Sequence, residues 1–132
     1  MRTGTLSLYA FVVYILTAFL LIFTAYSHLD YATDGITDID LEILIEMFPI
    51  FFLFVGLIIL IISATISLGN PVLASKLSVV GSFISWAYYL PMLCFFSVFN
   101  FTTIRGLLIF GLPMISLLVT IWLARRVQIA NR

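Results

Sequence analysis

Four stretches of this chain, Leu6 to Ser27, Met47 to Leu68, Leu77 to Phe99 and Gly106 to Ala124, contain no Asp, Glu, Lys, Arg or His. Each runs for about 20 residues, which at about 1.5 Å per residue matches the roughly 30 Å hydrocarbon core of a bilayer. In lipid every backbone N–H and C=O must find its partner inside the structure, so only helices and closed barrels can span. A barrel needs strands of about ten residues with alternating polarity, whereas these runs are apolar throughout. The expected fold is therefore all-α: four transmembrane helices in an up-down antiparallel bundle, one domain over residues 1–132. Composition agrees, since 64% of the 132 residues are hydrophobic and 9% charged, with mean hydropathy +1.26. So little chain remains outside the spans that a soluble catalytic module of typical size has no place in it. The first stretch is longer than a signal-peptide core of about 7 to 15 residues and is read as a retained span.

Turn chemistry marks the breaks. Gly69-Asn70-Pro71 should end the second span, with Gly69 suited to a positive φ, Pro71 unable to continue a helix, and Lys76 opening the third. Asn100 to Arg105 is short enough to make the third and fourth helices antiparallel neighbours. Pro91 and Pro113 each remove one backbone hydrogen bond and should bend their spans.

Charge is distributed unevenly. All six carboxylates, Asp30, Asp34, Asp38, Asp40, Glu42 and Glu46, fall between the first two spans, and none of the six bases does. With an even number of spans, Arg2, Lys76, Arg125, Arg126 and Arg132 share one face and Arg105 alone lies on the other. By the positive-inside rule both termini are cytoplasmic and the acidic loop is external; the plasma membrane is the expected location. Trp122 with Arg125 and Arg126 reads as an inner interfacial anchor with snorkelling bases.

In and just after the external acidic segment 28–46, Ile36, Ile39, Ile43 and Met47 recur at helical spacing, which predicts a short acidic amphipathic helix with Thr37 as N-cap. Asp34, Asp38, Glu42 and Glu46 are spaced by four and would form one negative ridge. Like charges at that spacing repel by a few tenths of a kcal/mol each, so the ridge is either a solvated polar face or a docking surface for a basic external partner. A calcium loop is disfavoured because the required Gly and late Glu are absent from their offsets. His28 is expected to be a lone interfacial histidine. No second His accompanies it, and Cys94 is the only thiol, so transition-metal, bis-histidine haem and disulfide chemistry have no ligand set. No cofactor is expected to be bound by this chain alone, and no catalytic or metal residues can be named; the sparse basic tail does not suggest nucleic acid. Asn100-Phe101-Thr102 matches the glycosylation sequon.

The absence of ionisable groups from the spans argues against proton relays, voltage sensing and proton-coupled four-helix antiporters, which depend on one. The polar content is instead hydroxyl. Ser78, Ser82, Ser85 and Tyr89 share one face of the third span, with Gly81 beside them, and Ser63 and Ser67 form a smaller set on the second. Such a face is either a packing seam, where small residues allow close approach and interhelical hydrogen bonds, or the lining of a path. Two functions follow as expectations. One is a non-catalytic subunit of a larger membrane complex, a respiratory or other redox assembly being the class considered, with lipids and other membrane subunits as partners. The other is a small oligomeric transporter or channel using the hydroxyl face of the third span.

Overall fold

The structure, a computed structural model, describes residues 3–33, 41, 47–95 and 104–132. These residues are helical almost throughout: α1 (Thr3–Thr33), α2 (Ile50–Ile66), α3 (Pro71–Phe95), a single turn α4 (Ile104–Gly106), a π-helical stretch (Leu107–Gly111) and α5 (Leu112–Ala130). The last three follow one another without a break, so the described chain forms four helical rods. Two segments, Gly4–Asp30 and Leu107–Ala130, are long and apolar enough to cross a membrane, and Ile50–Ile66 is a shorter apolar helix.

The rods pack in a ring. α2 lies between α1 and α3, α5 closes the ring between α3 and α1, and α1 and α3 meet only lightly across the centre. Their directions follow from which residues meet. Thr17 touches Thr120 and Thr24 reaches Ile109, so α1 and the last rod run oppositely; Thr24 also meets Tyr89, and His28 meets Tyr88. Successive rods thus alternate in direction, and Lys76, Arg125, Arg126 and Arg132 lie at one end.

Each rod is apolar on most of its circumference, so polarity does not decide which face turns inward; size and hydroxyl content do. Buried positions on α1 are Leu6, Ser7, Ala10, Tyr14, Thr17, Ala18, Leu21, Thr24, Ala25 and His28, which recur every three or four residues along one face. On α5 they are Pro113, Leu117, Thr120, Leu123, Ala124 and Val127. Bulky residues point away from the ring on every rod: Phe19 and Phe23 on α1, Phe51 and Ile58 on α2, Val80 and Phe83 on α3, Ile115 and Leu118 on α5. The core falls into two layers. One, around Leu53, Leu60, Tyr88, Tyr89 and Leu117, fills one half of the bundle; the other, around Leu6, Tyr14, Ala74 and Val127, fills the basic end.

Several boundaries differ from expectation. α3 begins at Pro71, not at Lys76 or Leu77. Asn70 is its cap: the Asn70 side chain accepts from the Leu73 N–H at 3.2 Å and its carbonyl from the Ala74 N–H at 3.0 Å. Pro71 then sits in the first turn, where its missing N–H costs nothing. Lys76 lies exposed inside the helix, since a charged side chain does not limit helical backbone hydrogen bonding. Gly69 adopts no positive φ; the reversal is completed by Asn70 N–H bonding back to Ile66 O at 2.7 Å. α1 runs on to Thr33, beyond Ser27, and α2 starts at Ile50 after a turn at Phe48 and Pro49. The amphipathic helix expected over 36–47, with its cap at Thr37, lies outside the described residues apart from Leu41 and Met47.

Candidate functional site

The polar content of the chain converges on the centre of the ring. On α3, Ser75, Ser78, Gly81, Ser82, Ser85, Tyr88 and Tyr89 are all buried, so the expected hydroxyl face does point inward. Most of its serines satisfy their donors locally: Ser75 Oγ donates to Val72 O at 2.7 Å, Ser78 Oγ to Ser75 O at 2.8 Å and Ser85 Oγ to Gly81 O at 2.9 Å. Ser63 and Ser67 on α2 do the same, to Ile59 O at 2.8 Å and Ala64 O at 2.9 Å. A hydroxyl folded back on its own helix leaves a small outer profile, which lets a neighbouring backbone come close. Gly56 of α2 uses this. A Cβ placed there would collide with the Ser85 hydroxyl and lie 2.8 Å from Gly81 O, and one on Gly81 would lie 3.2 Å from Gly56 O.

α1 supplies hydroxyls that the α3 pattern alone does not reveal. Thr17 Oγ1 donates to Val13 O at 2.7 Å, and its oxygen also meets the Ser116 hydroxyl and, at 3.0 Å, that of Thr120. Two turns further on, Tyr89 O–H donates to Thr24 Oγ1 at 2.9 Å, and Thr24 Oγ1 donates in turn to Ile109 O at 2.5 Å. That carbonyl is available because residue 113, its ordinary partner four residues on, is a proline without N–H. Thus one relay joins three rods. Tyr14, Thr17, Thr24 and His28 recur at three, seven and four along α1, a spacing that places them on one face without naming their partners.

His28 is 6% exposed because it packs against α3: its Nδ1 lies 2.7 Å from the Tyr88 hydroxyl, with the two rings edge to face at 5.5 Å. Tyr88 packs on Tyr89 in the same manner, centroids 5.1 Å apart, and Trp86 packs on Tyr89 at 6.2 Å. Among the described residues the fully buried Ser82 Oγ has no hydrogen-bond partner, and the buried Tyr14 Oη lies beside the Ser78 hydroxyl.

Geometrically this arrangement is a clamp of hydroxyls that ties α1 to α3 and to the last rod. Among the described residues no group of three His, Cys, Asp or Glu side chains could hold a metal ion. Asp34, Asp38, Glu42 and Glu46, the expected docking ridge, lie outside the described residues, as does the side chain of Arg105. At the basic end Trp122 is 57% exposed, with the Arg126 guanidinium 5.2 Å from its ring centroid, and Arg125 is exposed beside it. Two apolar grooves formed by described residues open on the outer surface. One of about 240 Å³ runs between α1 and α2 along Phe11, Ile15, Phe19 and Ile61. The other, about 500 Å³, lies between α1 and the last rod along Leu20, Phe23, Ile104, Leu108 and Leu112. No protein-family model, curated protein or solved structure matches the chain, which leaves the geometry of the seam as the ground for its function.

Proposed function

We propose that this chain is a four-span integral membrane protein that serves as a non-catalytic subunit of a larger membrane assembly, contributing packed helices within the bilayer and an acidic surface outside it. The observation that carries this reading is the inverted polarity of the bundle. Hydroxyls bond to one another and to carbonyls at the centre, while Phe, Ile, Leu and Val cover the outside of all four rods, including α2 and α3. In water such an exterior is an aggregation surface; against acyl chains it is the solvent-matched face. α2 at 17 residues is about 25 Å long, and Phe48 and Leu68, which flank it, extend its apolar reach toward 30 Å. The cluster of bases at one end supports cytoplasmic termini, and the acidic segment then faces outward, where it suits a basic partner.

A path through the single bundle is disfavoured because the close Gly56–Gly81 contact and the Thr17 and Thr24 relays fill the axis such a path would follow. The respiratory or other redox class remains a proposal about the companions. The test is extraction from the native membrane in mild detergent, followed by native electrophoresis and mass spectrometry. Comigration with larger subunits in fixed ratio is expected; a homo-oligomer without companions overturns the subunit reading. That result would favour the oligomeric transporter, for which Ser82, with its unpartnered hydroxyl in the bundle interior, is the residue to probe by Ser82→Leu and flux into vesicles.

A further inference from the structure

We propose that the π-helical stretch Leu107–Gly111 is a hinge, locked by the Tyr89–Thr24–Ile109 relay, about which the end of the last rod that begins at Ile104 swings against α1. Three observations meet there. The backbone is weak: Leu112 N–H bonds to Leu107 O, five residues back, Pro113 donates nothing, and Gly106 and Gly111, residues of low helix propensity, bracket the stretch. The Ile109 carbonyl, whose donor in an ordinary α-helix would be residue 113 and is here a proline, accepts from a side chain of another rod, Thr24, which in turn accepts from Tyr89 of a third. Finally, there is room to move, because the open groove of about 500 Å³ lies between Leu20 and Phe23 of α1 and Ile104, Leu108 and Leu112 of the last rod. A helix interruption that served only to fit a bend would need neither a two-hydroxyl lock nor free volume beside it.

The lever from Leu112 to Ile104 is about 12 Å long at 1.5 Å per residue, so a change of about 25° in the bend moves Ile104 by roughly 5 Å. Phe23 and Ile104 are both exposed and accept spin labels as Phe23→Cys and Ile104→Cys in a Cys94→Ser background, with the full chain in nanodiscs. Thr24→Val keeps the side-chain shape and removes the hydroxyl. It is expected to shift or split the Phe23–Ile104 label distance by about 5 Å, while a control pair at Ile58 and Phe83 on α2 and α3 stays unchanged. Adding Pro113→Ala, which returns an N–H to Ile109 O, is expected to restore the original distance. Tyr89→Phe, which removes only the second link, should give a smaller shift in the same direction. An unchanged distance in Thr24→Val, an equal shift in the control pair, or no restoration by Pro113→Ala would each overturn the hinge.

Discussion

Replacing Gly56 with alanine adds one methyl group at the tightest point of the bundle. That methyl would overlap the Ser85 hydroxyl and lie 2.8 Å from Gly81 O, about 0.6 Å inside the 3.4 Å at which ordinary contact begins. Ser85 can rotate away, at the loss of its 2.9 Å bond to Gly81 O, about 1 kcal/mol. The Gly81 oxygen cannot, because it belongs to a helix backbone, so α2 must withdraw from α3 along the most extensive helix contact in the molecule. Overpacking of this kind costs about 1–3 kcal/mol, and the better helix propensity of alanine offsets about 0.5–1. The net expectation is about 2 kcal/mol of destabilisation, a factor of roughly 30 in the folded-to-unfolded ratio. Gly4→Ala is the matched control, since nothing lies within 4 Å of a Cβ there, and it should be neutral or slightly stabilising. Unfolding of both variants by SDS in mixed micelles, followed by far-UV circular dichroism, gives the comparison. Equal midpoints for Gly56→Ala and Gly4→Ala would refute the close α2–α3 approach.

Further outcomes follow from the same geometry. Thr17→Val removes the hydroxyl that meets Ser116 and Thr120 and should cost about 1 kcal/mol in the same assay, whereas Thr65→Val, on the exposed side of α2, should stay within about 0.5. Phe83→Lys places a charge on the outward face of α3, where Phe83 is 62% exposed; at about 2.5–3.5 kcal/mol for a mid-span lysine, the fraction of chains inserted in a translocon assay should fall sharply, and full insertion would count against a lipid-facing α3. Reversal of Asp38, Glu42 and Glu46 to Lys should release a basic companion in native electrophoresis without loss of membrane insertion, and complete retention of the companion would remove docking through the ridge.

The helices were legible because length and apolarity without charge suffice to predict them, and the α2–α3 turn because Asn70 and Pro71 punctuate it. The boundary at Lys76 was misplaced because a charge marks where the chain meets the headgroups, while hydrogen bonding carries the helix a further turn and more, to Pro71. The inward face of α3 was legible in the spacing of Ser78, Ser82, Ser85 and Tyr89. Its counterpart on α1 was not singled out, since Thr17 and Thr24 are two isolated threonines until α5 supplies Ser116, Thr120 and the Ile109 carbonyl. Gly56 is likewise an ordinary glycine in an apolar run until Gly81 and Ser85 stand opposite. Pro113 announced a bend, but the residue that takes up the vacated carbonyl lies 85 positions away, and no local pattern encodes that pairing. His28 reads in sequence as a lone histidine at the end of an apolar stretch, and its partner Tyr88 lies 60 positions away, a pairing that no local pattern reveals.

The central claim is that all four rods sit in lipid with their hydroxyls inward, and α3 tests it most directly because it is the rod with the most polar buried face. Nitroxides placed singly from Val72 to Leu90 can be read for accessibility to oxygen, which concentrates in lipid, and to a water-soluble nickel complex. The account predicts a helical period with oxygen maxima at Val80, Phe83 and Leu90, minima at Ser78, Ser82 and Ser85, and little nickel access between them. High nickel access at Ser82 and Ser85 would put the hydroxyl face in water and contradict it.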